Sequence, residues 1–119
     1  MNPVSQFIKS LRYALRGIKH VAMQENSFRI QLLAGITIIV FIFAFPLATW
    51  ERVLLIVMVA AVLVLEILNT IFERISDALK PRLSPVVKEV KDMMAGAVLI
   101  TSLTAVAVAA IIFWSYLVQ

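Results

Sequence analysis

Three long apolar stretches decide what this chain can become. Arg29 and Glu51 are separated by twenty-one uncharged residues, close to the roughly 20 that an α-helix needs to cross the hydrocarbon core of a bilayer. A second apolar stretch of twenty residues runs from Val53 to Phe72 and is interrupted only by Glu66 and Asn69. The third, from Met93 to Gln119, carries no charge at all. Within lipid every backbone N–H and C=O must find a partner inside the segment, so each stretch is expected to be helical. A composition that is 62% hydrophobic, with a mean hydropathy of +0.99, is too apolar for an ordinary soluble domain of 119 residues. The expected fold is all-α and integral to a membrane. An N-terminal amphipathic surface helix at about 3–24 precedes three transmembrane helices at about 29–49, 52–73 and 92–117, in a single domain over 1–119. Pro46 should kink or close the first span, and Trp50, Glu51 and Arg52 leave only a tight turn before the second. A signal peptide is not expected, because the first apolar run follows a long basic segment and lacks a small-residue cleavage site.

Ahead of the first span, Val4, Phe7, Ile8, Leu11, Leu15, Ile18 and Ala22 recur at spacings of three and four, away from Lys9, Arg12, Arg16 and Lys19. This is the pattern of a helix lying on the inner leaflet. Of the eleven Lys and Arg residues, only Arg52 falls on the far side of the membrane from the others. The positive-inside rule then puts the N-terminus in the cytoplasm and the C-terminus outside a bacterial inner membrane, with Trp50, Trp114 and Tyr116 at the outer interface. The net charge of +4 is read as attraction to anionic headgroups, and no nucleic-acid partner is expected. Without cysteine and with one histidine, His20, the chain has no thiolate site and no His-rich metal cluster. Its chemistry must come from carboxylates, amides and cations.

Those groups concentrate in the segment from Glu66 to Asp77. At about 100° per residue, Glu66, Asn69, Glu73 and Asp77 fall within an arc of roughly 80° and along some 16 Å of helix. Glu66 lies roughly 20 Å down the second span, in its inner half, and Glu73 near the cytoplasmic interface. A carboxylate at such depth costs at least about 2.5 kcal/mol on insertion scales, so it should face protein, water or a metal rather than lipid tails. Glu25, just before the first span, and Lys91 with Asp92, before the third, belong to the same membrane level. Such acids repel one another unless a cation intervenes. Hard oxygen ligands favour Mg²⁺, which takes one or two carboxylates and completes its shell with water and substrate phosphates. Lys91 and Arg82 suit phosphate oxygens. The set fits phosphoryl transfer to a lipid hydroxyl, which needs a cation on the donor phosphates, positive charge around the moving group and a base at the attacking oxygen. Glu66, the deepest and least hydrated, is the candidate base. Simpler readings exist for each group: Glu66 and Asn69 as interhelical hydrogen-bonding residues, Glu25, Asp77 and Asp92 as solvated interfacial acids, His20 as a headgroup contact, and Ala95-Gly96-Ala97 as a packing surface.

Taken together, these residues resemble the prokaryotic diacylglycerol kinase family, which includes undecaprenol kinases. Three blocks carry the resemblance: Glu25-Asn26-Ser27-Phe28-Arg29; the pattern of Glu66, Asn69, Thr70, Glu73 and Asp77; and Lys91-Asp92 followed by Ala95-Gly96-Ala97. Tyr13-Ala14-Leu15-Arg16-Gly17 also looks like the family's surface helix. The resemblance implies an ATP-dependent lipid kinase with Mg²⁺ as cofactor, diacylglycerol or undecaprenol as acceptor, and a homotrimer whose sites are completed between neighbouring chains. It implies Glu66 as catalytic base and Glu25 and Glu73 as metal ligands. A nucleotide site of Tyr13, Glu25, Glu73, Arg82, Ser84, Lys91 and Asp92 follows from it, as does an acceptor site of Glu66, Asn69, Phe28, Arg29 and Ala95. Where the family usually has a small alanine after Asn-Thr or Asn-Ser, this chain has Ile71 followed by Phe72, which would narrow the space beside the acceptor or nucleotide. Gln6 stands where some members carry arginine. Two rivals remain: a small proton- or cation-coupled transporter using Glu66 as its carrier site, and a structural membrane subunit. The transporter reading gives no reason for Glu25, Glu73, Lys91 and Asp92 to gather at one interface.

Overall fold

The structure is a computed structural model that describes residues 2–79 and 85–118. Its elements are four helices: α1 (Pro3–Gln24), α2 (Asn26–Ala44), α3 (Thr49–Ala78) and α4 (Pro85–Leu117). The last three are each long and apolar enough to cross a membrane. Helix α1 starts on Asn2, whose side-chain oxygen accepts the Ser5 N–H at 2.7 Å, with Pro3 in the first turn, where a missing N–H costs nothing. One extended residue, Glu25 (φ −117°, ψ 116°), ends α1, and α2 begins immediately after it. Arg29 holds this corner. Its guanidinium donates to the carbonyls of Ala22 and Met23 at 3.0 Å each and to the side-chain oxygen of Asn26. Those carbonyls belong to the last turn of α1, which lacks intrahelical partners, so a rigid fork of donors from α2 satisfies them and sets the angle between the helices.

At the other end, Phe45–Ala48 joins α2 to α3. Phe45 is extended, as the residue before a proline must be, and Pro46 cannot continue the helix. Trp50, Glu51 and Arg52, read from sequence as a turn, instead form the first turn of α3. The reason is Glu51: its carboxylate accepts the Ala48 N–H at 2.9 Å and so caps the helix start. The same oxygen accepts the Tyr116 hydroxyl of α4 at 2.5 Å, which allows a carboxylate only 8% exposed to stay paired. Next to it Ile42, Leu47, Leu55 and Ile112 form the buried core. Phe41, Phe45 and Phe113 meet edge to face with centroids 5.3 to 5.9 Å apart. Tyr116→Phe should lower the unfolding temperature in detergent, read by scanning fluorimetry.

Midway along the bundle, α2 and α3 touch at Gly35. A Cβ there would lie 2.8 Å from Cγ1 of Val59, a β-branched side chain with little freedom to move aside. Gly35→Val is therefore expected to separate the two helices and cost about 1–3 kcal/mol, as overpacking does; a denaturation series in mixed micelles measures it. Protein covers little of the remaining apolar surface. Only 6% of the most apolar window of α4 is buried, and Val4, Phe7, Leu11 and Leu15 of α1 are exposed. These faces need lipid or another copy of the chain against them.

Candidate functional site

The Gly35–Val59 crossing sets the register of the antiparallel pair α2 and α3. Phe28 lies seven residues before Gly35 and Glu66 seven after Val59, so both sit about 10 Å from the crossing on the same level. Glu25, three residues before Phe28, then falls beside the turn containing Asn69 and Glu73. Spacings of four put Val62, Glu66 and Thr70 on one stripe of α3, and all three are buried. Glu66 is 6% exposed, so the chain itself shields this carboxylate from lipid tails. Thr70 donates its hydroxyl back to the Glu66 carbonyl at 3.0 Å, which leaves the Glu66 side chain free of it.

Glu73 lies two turns beyond Glu66 along α3, and Glu25 is tied to the same end of α3 through its ion pair with Arg74. Around them the structure places a small polar network: Asn69 Nδ2 donates to Glu73 Oε1 at 3.3 Å, and Arg74 pairs with Glu25 across 3.4 Å. Arg74 offsets part of the acidic charge, and Asn69 fixes one oxygen of Glu73, leaving the other available. Among the described residues no three acidic or histidine side chains form a group that could hold a metal ion. Two hard carboxylates, Glu25 and Glu73, are what Mg²⁺ takes when water and phosphate oxygens supply the rest, so the donor set suits that ion.

The other sequence-derived candidates are spread more widely. Phe28 is 2% exposed, enclosed between helices. Arg29 is engaged at the α1–α2 corner. Lys91 is half-buried, Asp92 and Ala95 are exposed on the first turns of α4, and no hydrogen bond or ion pair among the described residues links Lys91 or Asp92 to the acids. Tyr13 is exposed on α1, twelve residues from Glu25 and so about 18 Å away along the helix. Arg82 and Ser84 lie outside the described residues. Sequence reasoning passed over Gln31, the one amide side chain in the first apolar run. Its Nε2 reaches the Ser102 hydroxyl at a long 3.5 Å. Together they edge a cavity of about 370 Å³ that also meets Gly35, Val59, Val62 and Ala109. This hydrocarbon-lined space starts one helical turn from Glu66.

Comparison with known proteins agrees with the residues. The family model for prokaryotic diacylglycerol kinase matches residues 12–113. The undecaprenol kinase of Bacillus subtilis (strain 168) is 29% identical over 112 residues, which cover 94% of this chain and 91% of that protein. The diacylglycerol kinase of Escherichia coli (strain K12) is 30% identical over 112 residues, 94% of this chain and 92% of its own length. Nothing among these matches favours a transporter. A chain with three apolar helices, a buried Glu66 with Glu25 and Glu73 beside it, and a match running through all of them belongs to the prokaryotic diacylglycerol kinase family of lipid kinases.

Proposed function

We propose that this chain transfers the γ-phosphoryl group of ATP to a lipid hydroxyl at the cytoplasmic face of a bacterial inner membrane, with diacylglycerol or undecaprenol as the acceptor. One observation carries the reading: Glu66 is buried within α3, the apolar helix that also carries Glu73, and Glu25 is held against the same end of α3 by its ion pair with Arg74. Glu25 and Glu73 would hold Mg²⁺, which when bound neutralises charge on the donor phosphates. Glu66 accepts the proton of the acceptor hydroxyl as that oxygen bonds to the γ-phosphorus and the bond to the bridging oxygen of ADP breaks. Asn69 keeps Glu73 oriented through its amide, and Phe28 is packed between the helices at the level of Glu66. Arg29 fixes the corner from which Glu25 projects, and Ala95 leaves room on α4. The cavity bordered by Gln31 and Ser102 offers space for a hydrocarbon chain whose hydroxyl end lies at Glu66.

The nucleotide would be met by Lys91 and Asp92 of α4, by Arg82 and Ser84, and by Tyr13. The roughly 18 Å that separates Tyr13 from its own Glu25 supports a homotrimer in which the surface helix of one chain serves a neighbour's site, as does the thinly covered α4. Phe72, exposed at the edge of the acidic stripe, stands where it would shape acceptor choice, while Ile71 is exposed on the opposite side of α3. Labelled ATP offered to the purified protein with each lipid separately tests the reading. Labelled phosphatidic acid or undecaprenyl phosphate supports it and fixes the acceptor; no labelled product from either overturns it.

A further inference from the structure

Arg74 follows Glu73 directly on α3, and its guanidinium reaches back to the link between α1 and α2. Nη2 lies 3.4 Å from Oε1 of Glu25, a long single contact between side chains that are 50% and 28% exposed. A pair this open to solvent contributes little to stability. It matters for occupancy instead. Glu25 Oε1 is taken by Arg74, and Glu73 Oε1 by the Asn69 amide at 3.3 Å. The two partners differ in kind. Asn69 is neutral and can stay while a cation settles on the other oxygen of Glu73, whereas Arg74 carries a full positive charge and repels that cation. Glu25 is the sole residue between α1 and α2, so its carboxylate has no loop of its own in which to turn away. A divalent cation shared by Glu25 and Glu73 must therefore displace Arg74.

The displaced guanidinium has a natural second partner. Phosphate oxygens that complete the shell of a metal on Glu25 and Glu73 come up against the turn of α3 from which Arg74 projects. Its planar fork of donors matches a phosphate group, and its place beside Glu73 in the helix keeps it at hand when Glu25 lets go. We propose that Arg74 is an exchangeable counter-ion, which holds Glu25 while nucleotide is absent and moves to a phosphate of ATP when metal and nucleotide enter together. The inference rests on Glu25 and Glu73 as the metal-binding pair. Its consequence is cooperative binding: a bare cation is held off, and metal and triphosphate each strengthen the hold on the other.

The experiment measures binding rather than turnover, on the full chain in phosphatidylcholine nanodiscs. Mn²⁺ affinity is read by electron paramagnetic resonance of the free ion, with and without ATP, and nucleotide affinity with a fluorescent ATP. Arg74→Gln should raise Mn²⁺ affinity in the absence of nucleotide about two- to fivefold, the range an exposed ion pair covers. It should lower ATP affinity in the presence of Mn²⁺ roughly tenfold, as loss of a charge-assisted hydrogen bond does. Arg74→Lys keeps the charge and should restore part of both quantities. Lys19→Gln removes an equal charge about 9 Å along α1 from Glu25 and should move neither. Opposite shifts confined to Arg74 support the proposal. It is overturned if Arg74→Gln leaves both affinities at wild-type values, if Arg74→Lys matches Arg74→Gln, or if Lys19→Gln does as much. Glu25→Gln separates this failure from that of the site itself: Mn²⁺ binding undiminished in that variant overturns the metal-binding pair, and the inference with it.

Discussion

Glu66→Gln is expected to lower phosphoryl transfer by about two to four orders of magnitude, the range over which a positioned general base contributes. Glutamine matches the glutamate in shape and can still donate and accept hydrogen bonds, so the pocket around Phe28 and Thr70 should stay filled. What it cannot do is take up the hydroxyl proton. Binding of Mg-ATP, measured with a fluorescent nucleotide on the same preparation, should be nearly unchanged, because Glu66 lies deeper than Glu25 and Glu73. Wild-type turnover in this variant would move the base elsewhere. A parallel loss of nucleotide binding would instead place Glu66 among the metal ligands.

Glu73→Ala should fail differently. It removes one of two proposed metal-binding carboxylates and leaves the Asn69 amide without its acceptor. Loss of an electrostatic clamp on the phosphates is worth several kcal/mol, so kcat/KM for Mg-ATP should fall by roughly two to three orders of magnitude, with the Mg²⁺ titration displaced to higher concentration. Asn69→Ala isolates the supporting bond. Partners that orient a metal ligand typically contribute 10- to 100-fold, so a smaller loss with the same displacement is expected. An unaltered Mg²⁺ titration in Glu73→Ala would exclude Glu73 from the metal site.

Much of this molecule is written in one-dimensional patterns. Apolar runs of bilayer length mark the three membrane-spanning helices, because lipid offers the backbone no alternative partner. The spacing of Glu66, Asn69 and Glu73 makes their shared face legible, because helical periodicity is local. The features that stayed hidden depend on which helix meets which. Glu51 looked like part of a turn because its two partners, the Ala48 amide and the Tyr116 hydroxyl, are brought together only by the folded hairpin end. Arg29 stood in the sequence as a candidate for the acceptor site, and its second role, wrapping back on the end of α1, shows only in the fold. Gln31 gave a signal that was overlooked: an amide inside an otherwise apolar run needs a partner, and Ser102 lies 71 positions further along the chain.

Glu25 occupies the whole of the link between α1 and α2, with no residue to spare on either side. A side chain at such a joint takes its position from the angle between a rod resting on the bilayer and a rod crossing it. Local thinning, curvature or altered tension that tilts either rod is expected to swing this carboxylate relative to Glu73, which α3 carries in its last two turns. The proposed site would in that sense follow the mechanical state of the membrane around it.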